Sequence, residues 1–124
     1  MSAFRLFAVV FLFCGASLAR AEALVSGRAL DAAHTDYLLG LMRQVQTGSR
    51  RIRAGLPAAT SYAQKTGTQR ARACDAGLIE RPDTLPVLVV ACVRGDLSMA
   101  RSERSLRQVG EALTRSGLLD ENSQ

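Results

Sequence analysis

Val87-Leu88-Val89-Val90-Ala91-Cys92-Val93 is the segment whose reading decides how this chain folds. Its β-branched residues favour a strand. Asp83 or Thr84 as a cap, with Pro86 in the first turn, favours a helix. Periodicity does not separate the two in so short an apolar run. The deciding consideration is pairing, because a lone strand leaves its backbone N–H and C=O groups unsatisfied. No flanking segment reads as a convincing partner strand, so 87–93 is expected to be a buried helix.

Upstream, Arg81-Pro82-Asp83-Thr84-Leu85-Pro86 has the composition of a turn. Residues 58–74 are alanine-rich and polar. Ala59, Tyr62, Ala63 and Cys74 give them one weak helical face, which Thr66-Gly67-Thr68 interrupts. From Ala29, the residues Leu30, Ala33, Tyr37, Leu41 and Val45 recur at three or four positions, widened by Leu38 and Met42, as on an amphipathic helix. The stripe continues to Ile52 and Leu56 across Gly48, and Gly55-Leu56-Pro57 ends it. Downstream, Met99, Leu106, Val109 and Leu113 predict a last helix over 98–116, with Gly117 past its end. The expected fold class is therefore all-α, a small bundle of three or four helices with one disulfide.

The N-terminus reads as a secretory signal peptide. Arg5 precedes an uncharged apolar run over 6–18, and Ala19-Arg20-Ala21 fits the small-x-small pattern for cleavage after Ala21. The run is shorter than the roughly 20 residues that span a bilayer. The domain expectation is a signal peptide at 1–21 and a single mature helical domain at 22–124, periplasmic or secreted, with no transmembrane segment after cleavage. Cys14 leaves with the signal. Cys74 and Cys92 remain, and an even count in an oxidising compartment reads as one bridge.

The formal charge is +5, falling to about +3 when Arg5 and Arg20 are removed. Its layout is uneven. Between Asp36 and Asp75 there is no acid, while Arg43, Arg50, Arg51, Arg53, Lys65, Arg70 and Arg72 all fall there. These seven are the candidate anion- or partner-binding residues. The same cations also suit the C-terminal end of the first helix. A nucleic-acid partner is disfavoured by the compartment and by the few aromatics available for stacking.

No catalytic residue, metal ligand or cofactor is expected. His34 is the only histidine, and Asp36, two positions along a helix, does not face it. Asp75, Glu80 and Asp83 read as solvated loop charges, without the spacing of a calcium loop. The serines lack a G-x-S-x-G setting. The function expected from these readings is a non-catalytic accessory protein that docks a protein partner in the envelope. Its docking surface would be basic and amphipathic. Binding of anionic lipid or polysaccharide is the alternative, and a small redox or hydrolytic enzyme is the third reading.

Overall fold

The computed structural model describes residues 5–6, 15–95 and 98–120. The chain is not a helical bundle. It is built on a sheet of order β1-β4-β3-β2, in which β2 (Ser61–Gln69), β3 (Arg72–Glu80) and β4 (Val87–Arg94) run antiparallel. The two-residue β1 (Arg5–Leu6) lies parallel to β4 at the far edge. Helices α1 (Gly15–Val25) and α2 (Ala32–Arg43) precede the sheet, and α3 (Met99–Arg115) follows it.

The segment 87–93 is thus a strand, and the all-α expectation fails on its account. Its partner is β3, which pairs with it over eight positions from Ile79↔Val87 to Arg72↔Arg94. β3 does not look like a strand because small and polar residues fill it: Ala73, Cys74, Asp75, Ala76 and Gly77 sit between Arg72 and Leu78. The hydrogen-bond partners that a buried strand requires are therefore present. Residues 61–69, read as part of a weak helix, pair with β3 in full register from Ser61↔Glu80 to Gln69↔Arg72. A two-residue turn joins them, with Ala71 at φ 60°.

Alternation along the strands sends side chains to two faces. On one face Tyr62, Ala73, Ile79, Val87, Val89 and Ala91 pack under Leu106 and Leu113 of α3 and under Ile52. On the other, Ala63, Leu78 and Leu88 meet Leu39 of α2, with Leu18, Ala21 and Val25 of α1 against them. Each large aliphatic side chain so buried contributes about 2 kcal/mol.

Two helical readings need correction. The first helix was expected to bury Tyr37 and Leu41. Instead α2 buries Thr35 and Leu39, leaving Tyr37 69% and Leu41 47% exposed. It also stops at Arg43, and Ile52–Gly55 is a separate 3-10 turn. That turn sits close on α3. A methyl group on Gly110 would come 2.2 Å from the Ile52 carbonyl oxygen, and one on Gly55 would come 2.3 Å from that of Arg107. Thr114 adds a hydrogen bond to the Gly55 carbonyl at 2.8 Å. The last helix runs Met99–Arg115, with the Ser98 hydroxyl accepting from the Arg101 N–H as its cap.

Of the expected signal segment, residues 1–4 and 7–14 lie outside the described residues. Among the described residues, no helix is long and apolar enough to cross a membrane.

Candidate functional site

Chemistry-bearing residues converge around the outer half of β2, which is the edge strand of the sheet. Lys65, Thr66 and Gly67 follow one another there. Alternation puts Lys65 on the α1/α2 face and Thr66 on the α3 face. Lys65 is exposed, and its ammonium donates to the Thr66 carbonyl. With Arg20 it supplies the charge around a cavity of about 360 Å³, otherwise lined by apolar groups such as Leu24, Leu38, Met42 and Leu88.

The loop after α2 fixes the opposite face of the same strand. The Thr66 hydroxyl lies 3.1 Å from that of Thr47, and the Gln64 amide donates to the Thr47 carbonyl at 2.9 Å. Arg51 is only 5% exposed. One of its nitrogens donates to the carbonyls of Cys74 (2.7 Å) and Gly67 (3.3 Å), and the other to the Thr68 hydroxyl (2.6 Å). Gly67 and Cys74 are register partners, so this guanidinium clamps β2 to β3 just past Gly67. On the other face Cys74 is joined to Cys92, its register partner on β4, with an S–S distance of 2.08 Å.

Beneath Thr66 is Asp75, its partner on β3, which is fully buried. It is not a solvated loop charge. One carboxylate oxygen accepts the Ile52 N–H at 3.3 Å, and the Tyr62 hydroxyl lies beside the carboxyl. Burial raises this carboxyl to about 7, opposed by the Ile52 N–H, the neighbouring Tyr62 hydroxyl, and the charges of Arg51 and Arg53. Burial, with the Asp75 charge beside it, also pushes the Tyr62 phenol well up. The phenol approaches that carboxyl only loosely, and Arg51 Nε and Gln64 Oε1 form no hydrogen bond. Uncompensated polar groups at this density are rare in protein interiors.

The seven cations singled out from the sequence do not form one surface. Arg51 is interior. Arg53 donates to the Tyr62 carbonyl at 3.0 Å and lies 5.8 Å from that ring's centroid. Arg43 pairs with Glu80 through two bonds of 2.8 and 3.0 Å, and Glu80 raises the Arg43 guanidinium further. Arg50 lines a separate cavity of about 280 Å³ together with Glu103, Arg104 and Arg107. Arg70 and Arg72 sit at the β2–β3 turn. Only Lys65, with the buried Arg51 behind it, belongs to the site. His34 is exposed at the start of α2 and pairs with Asp31 at 2.8 Å, not with Asp36. Asp83 is exposed in the β3–β4 loop. Among the described residues, no group of three or more histidines, cysteines or carboxylates could hold a metal ion.

The sequence reading missed Lys65-Thr66-Gly67 as a motif, treating its threonine and glycine as a helix interruption. K-T-G is one of three short motifs, with S-x-x-K and S-D-N, of class A β-lactamases and penicillin-binding proteins. The other two are absent from these 124 residues: Lys65 is the only lysine, and Tyr62 stands three positions before it.

Comparison with known proteins agrees with that motif. Among solved structures, a β-lactamase from Burkholderia vietnamiensis is 31% identical, with a TM-score of 0.72 over 82% of this chain and 39% of its own. One from Xanthomonas campestris is 30% identical, with a TM-score of 0.73 over 78% of this chain and 37% of its own. An acyl-enzyme complex of PBP-A with penicillin G is 25% identical, with a TM-score of 0.71 over 78% of this chain and 36% of its own. The chain thus spans well under half the length of these structures. No curated protein sequence matches it. These likenesses overturn the expectation of a non-catalytic helical binder with a protein, lipid or polysaccharide partner. The Beta-lactamase enzyme family matches residues 17–116, the greater part of the sequence, and the chain belongs to that family.

Proposed function

We propose that this chain supplies the K-T-G side of a serine acyl-transfer site whose substrate carries a carboxylate, as a β-lactam does, and that the nucleophile comes from polypeptide outside these 124 residues. The observation that carries this reading is the Lys65-Thr66-Gly67 run on an edge strand, its Lys65 and Gly67 exposed and its Thr66 half-buried. The Lys65 ammonium offers a charge-assisted hydrogen bond to a carboxylate, and the Thr66 hydroxyl, on the opposite face of the strand beside Thr47, offers a second donor. The open edge of β2 leaves backbone groups to align an extended substrate beside the strand. Arg51, buried behind Gly67 and Thr68, adds positive potential without giving up its three oxygen acceptors. Acyl transfer also needs an activated serine, and S-x-x-K supplies one in this family. The cavity beside Lys65 is where such a segment would bring its serine to the lysine.

An exported setting belongs to the same proposal, supported by the disulfide and by the signal-like segment at 1–21. Leu18 and Ala21, on the signal side of the expected cut, pack against the core cluster of Leu39, Ala63, Leu78 and Leu88. N-terminal sequencing of the exported protein would locate the cut.

The reading is tested by titrating isotope-labelled protein with penicillin G while following intact mass. Chemical-shift changes should centre on 65–68, with the mass unchanged. Changes centred elsewhere, or none at saturating ligand, would overturn it.

A further inference from the structure

We infer that Asp75 is the positioning residue of the Lys65-Thr66-Gly67 strand, holding the Arg51–Ile52 segment against the end of β2 when its carboxyl is ionised and releasing it when protonated. The assignment to a substrate-binding strand rests on the function proposed above, but the geometry does not.

Asp75 lies between two parts that must stay in register. Across the sheet it opposes Thr66 on one side and Ala91 on the other. Above it, its carboxylate accepts the Ile52 N–H, one residue beyond the arginine that clamps Gly67, Cys74 and Thr68. The charged and titratable groups acting on it are Arg51 and Arg53 from the loop and 3-10 turn and Tyr62 from β2. β4 presents only Ala91, and α3 adds no charged group to its electrostatics. An ionised carboxylate therefore attracts both arginines and strengthens the Ile52 hydrogen bond. A neutral one keeps a weaker acceptor and loses the attraction.

The surroundings can follow such a change. Arg51 Nε and Gln64 Oε1 are buried without hydrogen-bond partners, and the Tyr62 hydroxyl approaches the Asp75 carboxyl only loosely. A fully satisfied network would fix one arrangement, whereas a partly satisfied one leaves room to re-pair when a proton arrives. Burial keeps the carboxyl's titration near neutrality, where both forms are populated.

The test needs no ligand, so its failure is separate from failure of the substrate reading. Protein labelled with ¹³C and ¹⁵N, in a His34→Gln background to remove the imidazole, is titrated from pH 5 to 9. The Asp75 carboxyl carbon and the amides of Ile52 and 66–68 are followed. A single shared midpoint near 7 is expected, absent from Asp75→Asn and restored in Asp75→Glu. Amides of 66–68 that stay fixed while the carboxyl titrates would overturn the proposal, as would a titration that persists in Asp75→Asn. If Asp75→Asn does not fold, the carboxyl and amide curves of the parent protein still decide, because midpoints that differ by a unit or more refute the coupling.

Discussion

Thr66 and Asp75 stand directly opposite each other in the β2–β3 register, so the middle residue of the K-T-G run rests beside the one fully buried carboxyl among the described residues. The pairing places a titratable charge under a strand whose outer edge is open. It has a cost that stability measurements should detect.

The sign follows from proton counting. The folded Asp75 carboxyl is raised to about 7, above its ordinary value of 3.8. Between those values the folded state holds the proton that the unfolded state has released, so stability falls as pH rises from about 4 to 7. The loss is on the order of several kcal/mol if this group acts alone. Denaturant midpoints taken across that range should decline in the parent protein and flatten in Asp75→Asn. At pH 8, Asp75→Asn should be the more stable of the two.

Gly110→Ala should be among the most damaging single-atom additions. Its new methyl would lie 2.2 Å from the Ile52 carbonyl oxygen and 3.0 Å from the Cα of Gly55. Both neighbours are backbone, so α3 must move away from the 3-10 turn. A loss of about 3 kcal/mol is expected, read as a lower melting temperature. Gly40→Ala, where nothing lies within 4 Å, is the control.

Ala71 occupies the β2–β3 turn at φ 60°, in the left-handed region that a Cβ disfavours. Ala71→Gly should therefore stabilise the hairpin by about 1 kcal/mol, after the greater chain entropy of glycine is set against the relieved strain. Chemical denaturation would register this as a higher midpoint with an unchanged slope.

Cys92→Ser removes a bridge that closes 18 residues of sequence. Chain entropy assigns that closure about 3 kcal/mol. The melting temperature should fall accordingly, and reducing agent should then have no further effect. An unchanged melting temperature would mean that the β3–β4 ladder holds these residues without the bridge.

Legibility in the sequence varied by element, for physical reasons. α3 was readable because both its ends carry local signals, Ser98 as cap and Gly117 beyond, and because its stripe of Leu106 and Leu113 does face the core. The strands were not. β3 alternates in burial over 72–77, but its buried positions there are Ala73, Asp75 and Gly77, so no apolar/polar alternation reaches the sequence, and its Ala73, Ala76 and Gly77 carry none of the usual strand preference. Once β3 was missed, 87–93 had no visible partner. On α2 the apolar Tyr37 and Leu41 face outward, so periodicity named the wrong side. The candidate site was legible in one respect only: Lys65-Thr66-Gly67 is a motif, and its meaning depends on a strand that the propensities concealed. The burial of Arg51 and Asp75 is tertiary and leaves no mark in local sequence.

The most direct test of the central claim is the dissociation constant for penicillin G of three proteins: the parent, Lys65→Ala and Arg43→Ala. Lys65 is exposed and supports no core packing, whereas Arg43 is a surface cation engaged with Glu80 at the opposite end of the strand pair. Loss of a charge-assisted hydrogen bond predicts roughly tenfold or greater weakening for Lys65→Ala, with Arg43→Ala unchanged. Equal weakening by both variants would reduce the binding to general attraction by a basic protein and contradict the assignment of Lys65-Thr66-Gly67 as a substrate-binding strand.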